Sequence, residues 1–406
     1  MNKAKGEVKT EKQSAKKALC LASLASNLDN FNRGNVETLL ELGYDVTLAS
    51  NFHSSEDTNS TEKIDAFVKE MEMLGVHIRQ IDFSRNLGKI RQQMHSVRQV
   101  RELLSEGFDL VHCHSPICAA ITRACAKKYR KSGRTKVVYT AHGFHFFDGA
   151  PLKNWLIYYP VEKAMSRYTD TLITINSEDY ERAKERLHAV NTVYLHGVGI
   201  DLDRWGVDQD AVDSETLRGE IGVASEDVML LSVGELNENK NHRIVLDALA
   251  RIRDPRLHYV IAGIGPQESA LKEQAAELGL QDRLHLLGFR TDVQDLCRAA
   301  DLFILPSLRE GLCMALMEAI ACRTPVICGR IRGNVDLIKN QDRLFDPHKA
   351  EELASCIQKA AEGKNKDELH SFLKQDTEQN YGILQDYSKV AVQKIMRQVY
   401  GELSNE

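Results

Sequence analysis

The chain has 406 residues, 43% hydrophobic and 27% charged, which is ordinary globular material and long enough for two cores. A formal net charge of -5 excludes a general nucleic-acid binder, which needs a basic surplus to neutralise phosphates. Nine cysteines, an odd number without a CxxC pair, read as reduced core residues of a cytoplasmic protein.

Residues 1–17, MNKAKGEVKTEKQSAKK, lack the apolar centre of a signal peptide and read as a disordered basic tail. No run reaches the ~18 apolar residues of a membrane span. The first predicted strand, 18–25, leads into a loop at 26–33, a helix at about 34–42 and a strand at 45–49, a βαβ unit. The loop carries Asn30, Phe31 and Asn32; its amides suit a sugar hydroxyl and, equally, ordinary turn chemistry. Predicted strands 76–82 and 110–113 flank an amphipathic helix at 90–106. In His112-Cys113-His114, alternation puts both histidines on one face but supplies no third ligand, so no metal is expected there.

Seven basic residues and no acid fall between 123 and 136. They read either as a solvated helix face or as a surface drawn to anionic lipid, at roughly 1 kcal/mol per well-placed cation. The strand 136–140 ends at the loop AHGFHFFDGAPLKN, which presents His142 directly and His145 less directly. The helix 154–168, NWLIYYPVEKAMSRY, is aromatic on much of its surface and carries Pro160, which should bend it. It reads as core packing beneath a cleft or as a face resting on lipid headgroups. A strand at 171–175 follows. Asp201 and Asp203 mimic a two-aspartate metal motif, but they sit in a Gly-rich connector, VYLHGVGIDLDRW, and read as turn chemistry.

A second domain opens with the strand 228–233 and the loop GELNENKN. Lys240, beside a helix start near 242, is placed to pair with a pyrophosphate. The strand 257–261 runs into Gly263-Ile264-Gly265-Pro266, weak as a dinucleotide fingerprint but suited to a close backbone turn beside a nucleotide. Another strand, 284–287, leads to Gly288-Phe289-Arg290. In 301–330, DLFILPSLREGLCMALMEAIACRTPVICGR, a buried strand at 302–305 stops at Pro306-Ser307. A loop, a helix at about 312–321 and a strand at 325–328 follow. In such a unit the loop and helix start lie at the carboxyl end of the strands, where ligands of open α/β sheets bind. Glu310 sits at that mouth. Glu318 lies eight residues on, roughly 12 Å at 1.5 Å per residue, about the reach of a nucleotide sugar from hexose to ribose. On spacing alone the two read as a helix-start acid and a solvated helix face.

Glu310, seven residues, then Glu318, with Gly311 after the first acid, Met-Glu-Ala around the second and Thr-Pro-Val-Ile beyond, resembles the signature of the retaining, B-type (GT-B) glycosyltransferases of family 4. The resemblance runs from about residue 18 to 400. The segments AHGFHFF, APLKNWLIYYPVEK and INSEDYERAKER resemble the exopolysaccharide and capsule branch more specifically.

The resemblance implies an α/β protein of two Rossmann-like domains facing across a cleft: 18–200 for the acceptor, 201–384 for a nucleotide sugar, and 385–406 as a helix returning to the first domain. It implies catalytic roles for His142 and Glu310 on the donor sugar and for Lys240 on the diphosphate. Donor binding falls to Lys240, Gly263, Gly265, Phe289, Arg290, Glu310, Gly311, Leu312 and Glu318, with Asn30, Phe31 and Asn32 on the acceptor side. The implied reaction moves a hexosyl group from a UDP-sugar to a lipid-linked saccharide in cell-surface polysaccharide synthesis, with retention and no metal or other cofactor. The protein is then expected in the cytoplasm, in possible peripheral contact with the inner membrane face. Two alternatives stay open: a UDP-sugar epimerase and a non-catalytic scaffold of a synthase complex. Glu235 keeps the scaffold open, because many family members carry Arg there. A working enzyme requires Glu235 to turn from the phosphates, held by a cation or by backbone N–H groups of its own loop.

Overall fold

The computed structural model describes residues 15–86, 88–206, 213–361 and 366–405; residues 1–14 of the expected tail lie outside the described residues. The first sheet is built from β1 (Lys17–Leu24), β2 (Asp45–Asn51), β3 (His77–Gln80), β4 (Leu110–His114), β5 (Lys136–Ala141), β6 (Thr171–Thr174) and β7 (Asn191–Tyr194). Its order is β3-β2-β1-β4-β5-β6-β7, with every pairing parallel. The second contains β8 (Val228–Val233), β9 (Leu257–Ala262), β10 (Leu284–Leu286), β11 (Leu302–Leu305), β12 (Val326–Gly329) and β13 (Leu344–Phe345). Its order is β10-β9-β8-β11-β12-β13, again all parallel.

The sequence explains why these sheets are parallel. β1, β8 and β11 are almost continuously apolar and buried along their length, as strands covered by helices on both faces must be. In each sheet the order reverses beside the first strand of the domain, between β1 and β4 and between β8 and β11. The loops leaving those strands open a crevice at the carboxyl ends.

The two chain crossings between domains lie side by side. Ile200 N–H donates to the Tyr387 carbonyl at 2.9 Å, and Lys389 N–H donates to the Ile200 carbonyl at 2.8 Å. Beyond this crossing the helix Lys389–Asn405 returns to the first domain, burying Val392, Met396, Val399 and Tyr400 in its core.

Two local expectations are corrected. The loop expected at 26–33 is a helix, Ala25–Phe31, followed at once by the helix Arg33–Glu41. Burial of Ala25, Ser26, Leu28 and Asp29 overrides the turn preference of its asparagines. The basic run is not all solvent- or lipid-facing. Arg123 is fully buried, donates from Nη2 to Glu162 at 2.9 Å and lies 4.1 Å over the Tyr139 ring, tying the helices Pro116–Lys131 and Leu152–Ser166 together. The helix Leu152–Ser166 is packed on one side and open on the other. Trp155 and Tyr159 pack on Phe146, while Leu152, Leu156, Ile157 and Val161 are exposed.

Candidate active site

On the second domain the candidate residues meet where the loops after β8, β9 and β11 converge. Gly263 and Gly265 are glycine for steric reasons: a Cβ on Gly263 would lie 1.9 Å from the Gly234 carbonyl oxygen, and one on Gly265 would lie 2.5 Å from that of Leu236. The loop they press against carries Lys240, whose N–H donates to Asn237 Oδ1 at 2.9 Å. Lys240 Nζ donates to Glu310 Oε1 at 2.8 Å, and its sulfur contact to Cys313 is 3.8 Å. Burial opposes the ammonium charge, but the neighbouring Cys313 and Glu310 overcome this and lift the Lys240 pKa above its ordinary value. The pair stands at the start of the helix Met314–Ala321, whose N-cap residue, Cys313, makes no side-chain cap. Its free N–H groups and dipole favour an anion at the same spot as the Lys240 ammonium.

This helix starts two residues later than predicted, because Gly311 and Leu312 are engaged elsewhere. A Cβ on Gly311 would sit 2.0 Å from the His142 carbonyl oxygen across the cleft, and Leu312 Cδ2 fills the space where a Cβ on Gly197 would be, at 2.6 Å. The second acid, Glu318, is partly buried on the same helix, and burial pushes its pKa up to about 7, against the opposing charge of Arg204. Phe289 stands 74% exposed at the rim, and Arg290 Nε is bonded to Asp292 at 2.7 Å.

From the first domain, β5 delivers His142. Its Nε2 lies 3.1 Å from His114 Nδ1, its ring faces Phe31 at 5.5 Å, and burial lowers its pKa to about 4, so it is neutral at pH 7. The two strand histidines share a face as alternation requires, their rings 4.1 Å apart. His112 is held by hydroxyls on both nitrogens, from Tyr400 and Thr140, each at 2.8 Å. Among the described residues no group of three His, Cys, Asp or Glu is arranged to hold a metal ion. His145 stacks on Tyr158 at 4.4 Å. Asn30 is exposed, with Lys63 Nζ 3.4 Å from its Oδ1. Asn32 is fully buried, bonding the Asn27 carbonyl and the Asn35 amide at the junction of two helices, so its amide is spent on structure.

Glu235 is exposed, and its Oε2 accepts from Asn237 Nδ2 at 2.9 Å. The partner comes from its own loop as expected, but it is a side-chain amide, not a cation or a backbone N–H. Sequence assigns no such role to three groups that meet here: His114 behind His142, and Arg332, placed only in a loop closing this side of the cleft, and Asp179, discussed below. His114 had been weighed only as a metal ligand. The signal available was its position at the end of β4, beside the strand that carries His142.

Two Rossmann-like domains facing each other across such a cleft, with a last helix returned to the first domain, define the GT-B architecture of glycosyltransferases. Residues 213–378 match the family described as Glycosyl transferases group 1, and residues 35–204 match Glycosyltransferase Family 4. Over 258 residues, 63% of this chain and 67% of the relative, the sequence is 39% identical to EpsD of Bacillus subtilis (strain 168), a provisionally assigned glycosyltransferase. Over 265 residues, again 63% and 67%, it is 31% identical to the UDP-Gal:alpha-D-GlcNAc-diphosphoundecaprenol alpha-1,3-galactosyltransferase of Escherichia coli. In fold it is similar to HepE of Anabaena, solved in complex with UDP, with a TM-score of 0.71 at 19% identity over 96% of this chain and 100% of that one. The chain belongs to family 4 of the GT-B glycosyltransferases and is a glycosyltransferase.

The raised pKa of Glu318 makes its ribose assignment testable. A carboxylate accepting from ribose hydroxyls is favoured in its charged form, so UDP binding should lower that pKa and release a proton near pH 7. Affinity should then rise with pH through about 7 and level off above it. Calorimetry of UDP binding in two buffers of different ionisation enthalpy measures the proton. The UDP phosphate also titrates near this range, so Glu318→Gln is the control, and it should release fewer protons than wild type by the Glu318 share; equal proton release in both proteins would remove Glu318 from the ribose.

Proposed function

We propose that the protein transfers a hexosyl group from a UDP-sugar to a lipid-linked saccharide in cell-surface polysaccharide synthesis, with retention and without a metal. The observation that carries this reading is the meeting of Lys240, Glu310 and the start of the helix Met314–Ala321 with the His142 loop at one point of the cleft. As the bond from the anomeric carbon to the diphosphate oxygen breaks, negative charge grows on the leaving group. The Lys240 ammonium and the helix N–H groups meet that charge where it develops. An acceptor hydroxyl attacks from the same face, forming the new glycosidic bond and giving its proton to the departing phosphate oxygen, so no protein nucleophile is required. His142 and Glu310 position the sugar. UDP and the lipid diphosphate acceptor are supported by the solved HepE complex and by the name of the Escherichia coli relative.

A cavity of about 360 Å³ beside His142, lined by Phe31, Arg85, Ser115, His145 and Tyr158, suits the acceptor saccharide. Tyr158 belongs to the helix whose other face exposes Leu152, Leu156, Ile157 and Val161. With that face resting on the inner leaflet from the cytoplasmic side, a lipid-linked acceptor reaches the cavity without leaving the membrane. Among the described residues no helix is long and apolar enough to cross a membrane.

Incubation with UDP-sugars, with and without a membrane lipid extract and with and without a chelator, tests the proposal. Chelator-insensitive transfer that requires the extract, with the donor's anomeric configuration kept in the product by NMR, is the expected result. Sugar interconversion without acceptor would favour an epimerase, and neither outcome a scaffold. Replacing both Leu156 and Ile157 by Asp should lower cosedimentation with anionic vesicles by about tenfold while leaving UDP affinity intact; unchanged cosedimentation would remove this helix from the membrane.

A further inference from the structure

Arg332 belongs to the second domain, in the loop after β12, but its side chain is only 7% exposed and reaches across the cleft. Nη1 donates to Asp179 Oδ1 at 2.8 Å, Nη2 donates to the Phe144 carbonyl at 2.8 Å, and Nε donates to the Glu310 carbonyl at 3.0 Å. The guanidinium also lies 4.3 Å from the centre of the Phe147 ring. One side chain thus grips the main chain of both loops that carry candidate catalytic groups: Glu310 itself on one, and a carbonyl two residues from His142 on the other. Asp179 is a fixed anchor. It is fully buried in the first turn of the helix Ser177–Arg186, and its Oδ2 accepts from Phe144 N–H and Asn176 Nδ2, each at 3.0 Å.

The seam around this grip has no slack. Besides the contact of Gly311 with the His142 carbonyl, a Cβ on Gly333 would lie 2.3 Å from the Gly311 oxygen, and one on Gly143 would lie 3.3 Å from Arg332 Nη2. Backbone therefore touches backbone across the cleft, and a shift of one loop is passed to the other. A neighbouring contact also links the domains: Asp336 Oδ2 accepts from Ser177 N–H at 2.9 Å, and Asp336 Oδ1 from the Ser177 hydroxyl.

The geometry points to Arg332 as a positioning residue whose three-way grip sets His142 against Glu310 across the cleft, so that sugar transfer depends on it while nucleotide binding does not. This rests on the transferase reading above. Arginine suits the task because its planar fork aims several donors in fixed directions, which a lysine ammonium on a flexible stem does not reproduce. Lys240, Gly263, Gly265 and Glu318, the proposed nucleotide cradle, all lie in the second domain and none is a partner of Arg332.

The test compares Arg332→Ala, Arg332→Lys and the double variant Arg332→Ala/Asp179→Asn, which removes the buried charge that the single change would strand. Turnover should fall about 100-fold in all three, as expected for a displacement on the order of 1 Å, while the UDP dissociation constant stays within about twofold. Methylguanidinium added to Arg332→Ala should restore part of the turnover. Turnover within about threefold of wild type in either Arg332→Ala variant, full recovery by Lys, or parallel loss of turnover and UDP affinity would overturn the assignment. Fluorophores placed one on each domain supply a readout independent of activity: Arg332→Ala should widen the interdomain distance, and an unchanged distance overturns the grip. If wild type transfers no sugar while Arg332→Ala still widens the distance, the transferase reading fails and the grip stands.

Discussion

Lys240→Ala is expected to weaken UDP binding by at least about tenfold and to cut turnover by about 10² to 10³, the effect of losing one preorganised charge from a site where an oxyanion develops. The side chain is 19% exposed and its ammonium is already aimed at the loop before the helix Met314–Ala321, so little reorganisation is needed when a diphosphate arrives. The variant also strands the Glu310 carboxylate, 15% exposed, without its cation, which adds repulsion toward the phosphates. Glu235→Gln is the matching control. A carboxylate about 4 Å from a phosphate charge would cost about 4 kcal/mol at an effective dielectric near 20. With Glu235 exposed and bonded to Asn237, its neutralisation should change UDP affinity little. Calorimetry on both variants decides the matter. A large gain for Glu235→Gln would show that the acid faces the phosphates, and the scaffold reading would then displace the enzyme.

Glu310→Gln should lower turnover by about 10² or more while leaving UDP affinity equal to wild type or better. Glu310 holds the Lys240 ammonium at 2.8 Å. Neutralising the acid frees that cation for the nucleotide, so a loss of turnover cannot be assigned to lost UDP binding. Gln keeps the size and one acceptor of Glu but removes the charge proposed to orient the sugar hydroxyls. Steady-state kinetics with saturating donor, beside UDP calorimetry, measures both effects. Wild-type turnover would reduce Glu310 to a helix-start acid, and a fall in UDP affinity would place it on the nucleotide instead of the sugar.

Much of this arrangement was legible along the chain because it is encoded locally. Uninterrupted apolar runs of four or five residues in β1, β8 and β11, each followed by a helical pattern, specify parallel strands covered on both faces. From there the crevice at the carboxyl ends, the mouth position of Glu310 and the placing of Lys240 beside a helix start follow without knowledge of any distant contact. The close turn at Gly263 and Gly265 was readable for the same reason, since a missing Cβ marks backbone approach wherever the partner comes from.

Burial and partnership across long separations were decided only by the tertiary structure. Arg123 and Lys127 look alike in a basic run, but the first is sealed against Glu162 and Tyr139, because one face of the helix Pro116–Lys131 happens to meet the helix Leu152–Ser166. Asn32 reads as a cleft amide until two helices close around it. Lys240 and Glu310 pair across 70 residues and Arg332 and Asp179 across 153, separations at which no periodicity or propensity carries information. Lys240 and Glu310 meet because β8 and β11 are neighbours in the second sheet, whereas the meeting of Arg332 with Asp179 depends on how two separately folded sheets face one another, and that is set by the paired crossing at Ile200 and Lys389 and by the glycine contacts of Gly143, Gly311 and Gly333. Sequence pattern therefore determined the two domains and the acids, lysine and histidine at their mouths, whereas the grip of Arg332 on the loops that carry Glu310 and His142 arose only when the domains docked.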